Sequence, residues 1–153
     1  MGSWSGAVCV ASRTMLITGR SVWDAESIYQ TTDKERQAGV LWPQLLGQAG
    51  YRTYMTGKWH IRTDAEKCFD VARHVRPGMP KSVESAYNRP PSKGKDPWSP
   101  TDMSLGGFWE GGRHWSEVTA DDAIDFLGEA NRENNPSFFY IAYNACLLYT
   151  SPS

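Results

Sequence analysis

In the stretch Cys9 to Arg20, CVASRTMLITGR, a thiol is followed four residues later by a guanidinium, and a short apolar run ends in Thr18-Gly19-Arg20. At a helix N-terminus the backbone N–H groups and the helix dipole favour negative charge, so Cys9 at such a place can hold a thiolate or face a bound oxyanion, with Arg13 one turn on. A small buried hydrophobe beside a surface arginine explains the same letters. A second candidate lies in Gly50 to His60, GYRTYMTGKWH. Lys58 and His60 leave the end of an expected strand, where open α/β sheets place their ligands, and residues two apart in extended chain point the same way. A lysine and a histidine on one side clamp an anion and move a proton. A solvated lysine and a hydrogen-bonded histidine are the plain alternative.

The elements that must position these groups read as follows. Ser12 as N-cap and Gly19 past the end predict a short helix over 12–18, with Cys9 just ahead of it. Residues 21–38 are polar and unpatterned and read as a surface connection. Val40, Leu41, Leu45, Leu46 and Ala49 recur at helical spacing, with Pro43 near the start and Gly50 as the stop, which predicts a helix. The strand expected over Tyr51 to Thr56 is rich in aromatic and β-branched residues. Most prolines and glycines fall in 76–114, a long excursion outside the core elements. Ala120, Ala123, Ile124, Leu127 and Ala130 form an apolar stripe, and Thr119 with Asp122 resembles a capping box, so a third helix follows. Ser137 to Tyr143, SFFYIAY, is a continuous apolar run of the kind that forms a strand covered on both faces by helices. Helices alternating with strands predict an α/β layer fold.

Bulk properties narrow the function classes. The chain has 153 residues, enough for one domain with a real core, and a net charge of −1, which gives no long-range pull towards nucleic acid or an anionic membrane. No apolar run approaches the roughly 20 residues of a membrane helix, and MGSWSGAVC lacks a signal-peptide pattern. Three cysteines, Cys9, Cys68 and Cys146, are too few and too scattered for a disulfide framework or a CxxC metal site. Several tryptophans and tyrosines sit among glycines. Trp109, His114 and Trp115 could line a sugar-binding cleft, with His74 and Trp98 as weaker candidates, and loop aromatics packed over a core are the alternative.

Taken together, Cys9-x-Ala11-Ser12-Arg13, then Leu16-x-Thr18-Gly19-Arg20, then the strand into Gly57-Lys58-Trp59-His60, resemble the two signatures of the type I sulfatases, the formylglycine-dependent arylsulfatases. FDVARHVRPGMP, WSPTDMSLGGFWEGGRHWSEVTADDAIDFL and PSFFYIAYNA carry the likeness over nearly the whole chain. The resemblance implies an alkaline-phosphatase-like α/β three-layer sandwich. Residues 1–145 would be a partial catalytic domain lacking the first strand and the C-terminal half. The family continues with Pro-His where this sequence reads CLLYTSPS, so residues 146–153 are expected to be foreign to the domain.

In the resembled family a formylglycine-generating enzyme oxidises the cysteine to formylglycine, whose hydrated aldehyde carries two hydroxyls on one carbon. One attacks the sulfur of a sulfate ester; the other loses its proton so that the aldehyde reforms and sulfate departs. Carried over by position, Cys9 would be the formylglycine precursor, with Ala11 in place of the commoner proline. Arg13 would hold the formylglycine, Lys58 would bind a sulfate oxygen, and His60 would orient or deprotonate the hydrate. Trp109 and His114 would contact substrate. The resemblance also implies a divalent ion, calcium or else magnesium, ligated in part by the modified Cys9. The family's first metal-ligating Asp pair precedes the cysteine, and only eight residues do so here. Asp121 and Asp122, adjacent on a helix, diverge by about 100 degrees and read as capping and solvated groups. The piece alone is therefore expected to be inactive. Expected partners are a sulfated small molecule or carbohydrate and the maturation enzyme, with no nucleic acid and no membrane, and a periplasmic or secreted parent. Two other readings stay open: a phosphoester or phosphonate hydrolase of the same superfamily, and a non-catalytic module that binds sulfated glycans through Arg13, Lys58 and the tryptophans.

Overall fold

The computed structural model describes residues 8–76, 113 and 115–143. The chain runs through α1 (Cys9–Thr18), α2 (Val22–Ile28), a 3-10 turn (Tyr29–Thr31), α3 (Thr32–Gln37) and α4 (Trp42–Gln48) into β1 (Arg52–Lys58). A second 3-10 turn (Ala65–Lys67), β2 (Val71–Arg76), α5 (Trp115–Glu133) and β3 (Ser137–Ala142) follow. The three strands are all parallel, in the order β2-β1-β3, with Tyr54 opposite Val71 on one side and Phe139 on the other.

Alternation along β1 sends side chains to two helical layers. Towards α5, Tyr54 stacks on Phe139 of β3 at 5.1 Å between centroids and meets Phe126 of α5 at 5.0 Å, while Thr56 donates to Asp122. On the opposite face Met55 enters a core with Ile17 of α1, Leu41, Trp59 and Phe69. Each such buried side chain contributes about 1.5–3 kcal/mol relative to exposure. The result is the α/β arrangement expected, a parallel sheet with helices on both faces.

Several local expectations are corrected. Helix α1 starts at Cys9, since Ser12 N–H already donates to the Val8 carbonyl at 2.9 Å and Val8 is the extended N-cap. Its end is as predicted: Gly19 is left-handed at φ 67 and its N–H reaches Met15 O. Residues 21–38, read as a connection, form two helices. Ser21 caps α2 through Asp24, and Asp33 pairs with Arg36 within α3, so local polar contacts replace the apolar periodicity that would have revealed them. Strand β2 was not anticipated because its Arg73 and His74 face helix α5, where they meet Glu129 and Asp122.

Helix α5 begins by Trp115, so Thr119 is no N-cap; its hydroxyl donates back to Trp115 O. The buried face is Trp115, Val118, Thr119, Asp122 and Phe126, whereas Ile124 and Leu127 of the expected apolar stripe are 66% and 59% exposed. The stripe is inverted because Thr119 and Asp122 are hydrogen-bonded inside and so are cheap to bury. Strand β3 is not covered on both faces, as Phe138 is exposed. Trp98, Trp109, His114, Cys146 and the rest of 146–153 lie outside the described residues.

Candidate active site

At the C-terminal end of β1 the strand stops being regular. Gly57 takes φ 95 at a register shift between Thr56 and Lys58, and a Cβ there would run into the Ala142 carbonyl of β3. Only glycine allows this approach. Past it, Trp59 N–H donates to Arg76 O at 2.8 Å and the Trp59 indole N–H to Thr63 O at 2.7 Å, closing a turn. The Thr63 hydroxyl donates to Asp33 of α3 at 2.8 Å. Within the turn His60 has φ 53. Lys58 and His60 are therefore near one another through a bulge and a tied turn, and not through the extended alternation expected from their spacing.

Arg13 crosses from α1 to this end of the sheet. Its Nη1 donates to the Lys58 carbonyl at 2.7 Å and to the Tyr140 hydroxyl of β3 at 3.1 Å. Lys58 is 1% exposed, and among the described residues no carboxylate pairs with its ammonium. Burial holds the His60 imidazole below its ordinary pKa, helped by the charges of Lys58, Arg13 and Arg62. Its Nδ1 is buried without a hydrogen-bond partner among the described residues. Val10, Tyr29, His60, Ile61 and Arg62 line a hollow of about 300 Å³. Cys9, next to Val10, is a half-buried thiol in the first turn of α1, free of any disulfide among the described residues. Cys68, by contrast, is buried in the core, donates to Asp64 O, and is pushed up to about 11 by burial.

Arg13, Lys58 and His60, which the sequence marks as candidate anion-handling residues, come together at this end of the sheet, with Arg62 beside them. Such a set stabilises an anion. The Sulfatase family profile matches residues 2–146. The chain belongs to the sulfatase family. It is also similar to an N-acetylglucosamine-6-O-sulfatase of Bacteroides thetaiotaomicron, 31% identical over 113 residues, which is 70% of this chain and 15% of the relative. The sulfatase chain thus spans about 15% of the length of the curated relative it matches.

A divalent cation is a different matter. Among the described residues of this sulfatase no group of three or more His, Cys, Asp or Glu converges, and the side chains gathered at the end of β1 are cationic or neutral. The described residues do not fit the expected calcium ion, and no chemical step is assigned to one. Asp121 and Asp122 do part company as expected, but only Asp121 is solvated, pairing with Arg113 on the surface. Asp122 is 4% exposed, accepts from Thr56 at 2.5 Å and lies 2.9 Å from His74 Nδ1, which corrects its reading as a capping or solvated group. Trp115, proposed for a sugar cleft, is buried against the sheet with its indole N–H on His74 O. No helix among the described residues is long and apolar enough to cross a membrane.

Sequence reasoning missed Tyr140, Tyr29 and Arg62. Tyr140 sits inside an apolar strand run, where its hydroxyl gives no periodic signal. Arg62 follows His60 by two residues and could have been noticed on that ground.

Proposed function

We propose that Cys9, Arg13, Lys58 and His60 are the sulfate-handling part of a sulfate-ester hydrolase site. The observation that carries this reading is Lys58, an ammonium on a 1% exposed residue with no carboxylate partner among the described residues. Burying an unpaired cation is costly, and a bound oxyanion removes that cost. At an effective dielectric of about 20, opposite unit charges about 4 Å apart attract by about 4 kcal/mol. Lys58 would hold a sulfate oxygen and offset the charge that grows on the departing oxygen.

Arg13 anchors the first turn of α1 to the end of β1 by its bond to Lys58 O, which keeps Cys9 in register with the anion site. The half-buried Cys9 thiol, in no disulfide among the described residues, fits a residue that a maturation enzyme must reach. Formylglycine made from it would supply a hydrated aldehyde, with one hydroxyl to attack sulfur and a second whose proton must leave. His60, kept neutral by burial and by its cationic neighbours, is suited to orient a hydroxyl or accept its proton. The substrate of the whole protein would be a sulfated small molecule or carbohydrate, in keeping with the name of its relative.

The test has two arms. The chain is produced together with a formylglycine-generating enzyme, and the tryptic peptide ending at Arg13 is weighed; the expected result is the mass change of thiol to aldehyde at Cys9. Inorganic sulfate is then titrated calorimetrically into the wild type and Lys58→Ala, with circular dichroism as the check on folding. Lys58→Ala should weaken sulfate binding by about tenfold or more, the size of one lost charge-assisted contact. Sulfate bound equally well by a folded Lys58→Ala protein would remove the basis of the reading.

A further inference from the structure

The hollow beside His60 has a feature that sulfate binding at Lys58 does not use. Arg62 lies over the ring of Tyr29, its Cζ 5.8 Å from the centroid, and both residues line the hollow. Stacking at this distance steadies a guanidinium while leaving its N–H groups free to donate at the ring edge. Several other arginines have acidic partners, Arg20 with Glu35, Arg36 with Asp33, Arg52 with Asp70 and Glu133, and Arg73 with Glu129, while Arg13 is taken up by the Lys58 carbonyl and the Tyr140 hydroxyl. Arg62 is exposed and has no carboxylate partner among the described residues. The rest of the lining is Val10, Ile61 and His60, with no acidic side chain among the described residues. The space of about 300 Å³ is that of a small-ligand site.

We propose that this hollow takes the alcohol part of the sulfate ester, and that Arg62 binds a second oxyanion carried on that alcohol. The preferred substrate is thus a doubly anionic sulfate monoester and not a neutral aryl or alkyl sulfate. The inference rests on the reading of Lys58 as the sulfate-binding group. Its physical basis is division of labour. Lys58 is buried and single-pointed, suited to one oxygen of the reacting group, whereas Arg62 is a planar fork at the mouth, suited to a bidentate sulfate or carboxylate. Tyr29 fixes the fork's direction, so less side-chain freedom is lost on binding. Arg62 and His60 line the same hollow, so a ligand held there meets both.

The test is calorimetric titration of the chain, at physiological ionic strength, with four probes: inorganic sulfate, a monosaccharide monosulfate, the corresponding disulfate, and a monosulfated uronic acid. The disulfate and the sulfated uronate should bind about tenfold more tightly than the monosulfate, a typical gain for one charge-assisted bidentate contact. If only one of them gains, it identifies which oxyanion Arg62 accepts. Arg62→Gln should bring the ratio of second-anion ligand to monosulfate close to one, and Arg62→Lys, which keeps the charge without the fork, should retain part of it. Inorganic sulfate that binds while disulfate and sulfated uronate show no advantage, or an advantage that survives Arg62→Gln, overturns the inference alone. Failure of inorganic sulfate to bind at all overturns the reading of Lys58 and the inference with it.

Discussion

Arg13 and Lys58, 45 residues apart in sequence, are joined by a 2.7 Å hydrogen bond from the guanidinium to the Lys58 carbonyl. The bond runs to backbone, so it fixes where the end of β1 sits against α1 whatever the lysine side chain is doing. A second bond from the same Nη1 to Tyr140 brings in β3. One side chain thereby ties a helix and two parallel strands together at the candidate site.

Arg13→Ala removes both bonds, and bonds from charged donors contribute about 1.5–3 kcal/mol each. The variant should lose about 3–6 kcal/mol of stability, read as a lower urea midpoint at unchanged slope. Arg13→Lys keeps the charge but presents a single ammonium on a flexible stem, and should recover less than half of the loss. A lysine variant as stable as the wild type would mean that the two acceptors do not need the guanidinium.

The His60 imidazole is held below its ordinary value of about 6.5 by burial first and by Lys58, Arg13 and Arg62 after it. A folded-state pKa below the unfolded one means that the unfolded chain binds the proton more readily. The contribution of His60 to stability is therefore complete above about pH 6.5 and is lost as pH falls from there through the folded pKa. NMR titration should give a His60 midpoint below 6.5, assigned by its absence in His60→Gln. Arg62→Gln should raise that midpoint by removing one of the neighbouring charges. A midpoint above 6.5 in the wild type would show that the cations do not surround the ring as described.

Two glycines separate backbone necessity from mere tolerance. At Gly57 a Cβ would meet the Ala142 carbonyl, and φ 95 is unfavourable for any L side chain. A non-glycine left-handed residue costs roughly 1–2 kcal/mol and overpacking roughly 1–3 more, so Gly57→Ala should destabilise by about 2–5 kcal/mol and disturb sulfate binding at Lys58 next to it. Among the described residues nothing lies within 4 Å of where a Cβ on Gly128 of α5 would sit. Gly128→Ala should raise stability by about 0.5–1 kcal/mol through helix propensity alone. Thermal melts of the two variants should move in opposite directions.

Strand β1 was legible because Thr53 to Thr56 offer β-branched and aromatic residues between two glycines that stop the neighbouring elements. The end of α1 was legible from Gly19, which needs no tertiary information. What failed depends on partners distant in sequence or on local polar contacts that leave no apolar period. The polar stretch from α2 to α3 carries no apolar periodicity, yet its 3-10 turn supplies Tyr29 to the hollow and α3 supplies Asp33 to the turn that holds His60. The buried face of α5 contains Thr119 and Asp122, which a hydropathy pattern assigns to water, while Ile124 and Leu127 point the other way. For the candidate site the letters named Cys9, Arg13, Lys58 and His60, but alternation gave the wrong reason for Lys58 and His60 lying near one another: the Gly57 bulge and the left-handed His60 are invisible to a period of two.

Asp121 and Asp122 should prove as different in solution as they are in the fold. Asp122 is 4% exposed and accepts from the Thr56 hydroxyl of β1 while its oxygens lie 2.9 Å from His74 Nδ1 of β2, so one carboxylate joins α5 to two strands. Asp122→Ala leaves the Thr56 hydroxyl buried without its acceptor, at a cost of about 1–3 kcal/mol, and adds the space of the lost carboxylate. Asp122→Asn keeps the shape and can still accept from Thr56, and should fall between alanine and wild type. Asp121 lies on the surface with Arg113, a pair that solvent screens, and Asp121→Ala should melt with the wild type. Equal melts for Asp122→Ala and Asp121→Ala would mean that the carboxylate does not bridge the sheet to the helix, and that α5 is held by Phe126 and its aromatic neighbours without it.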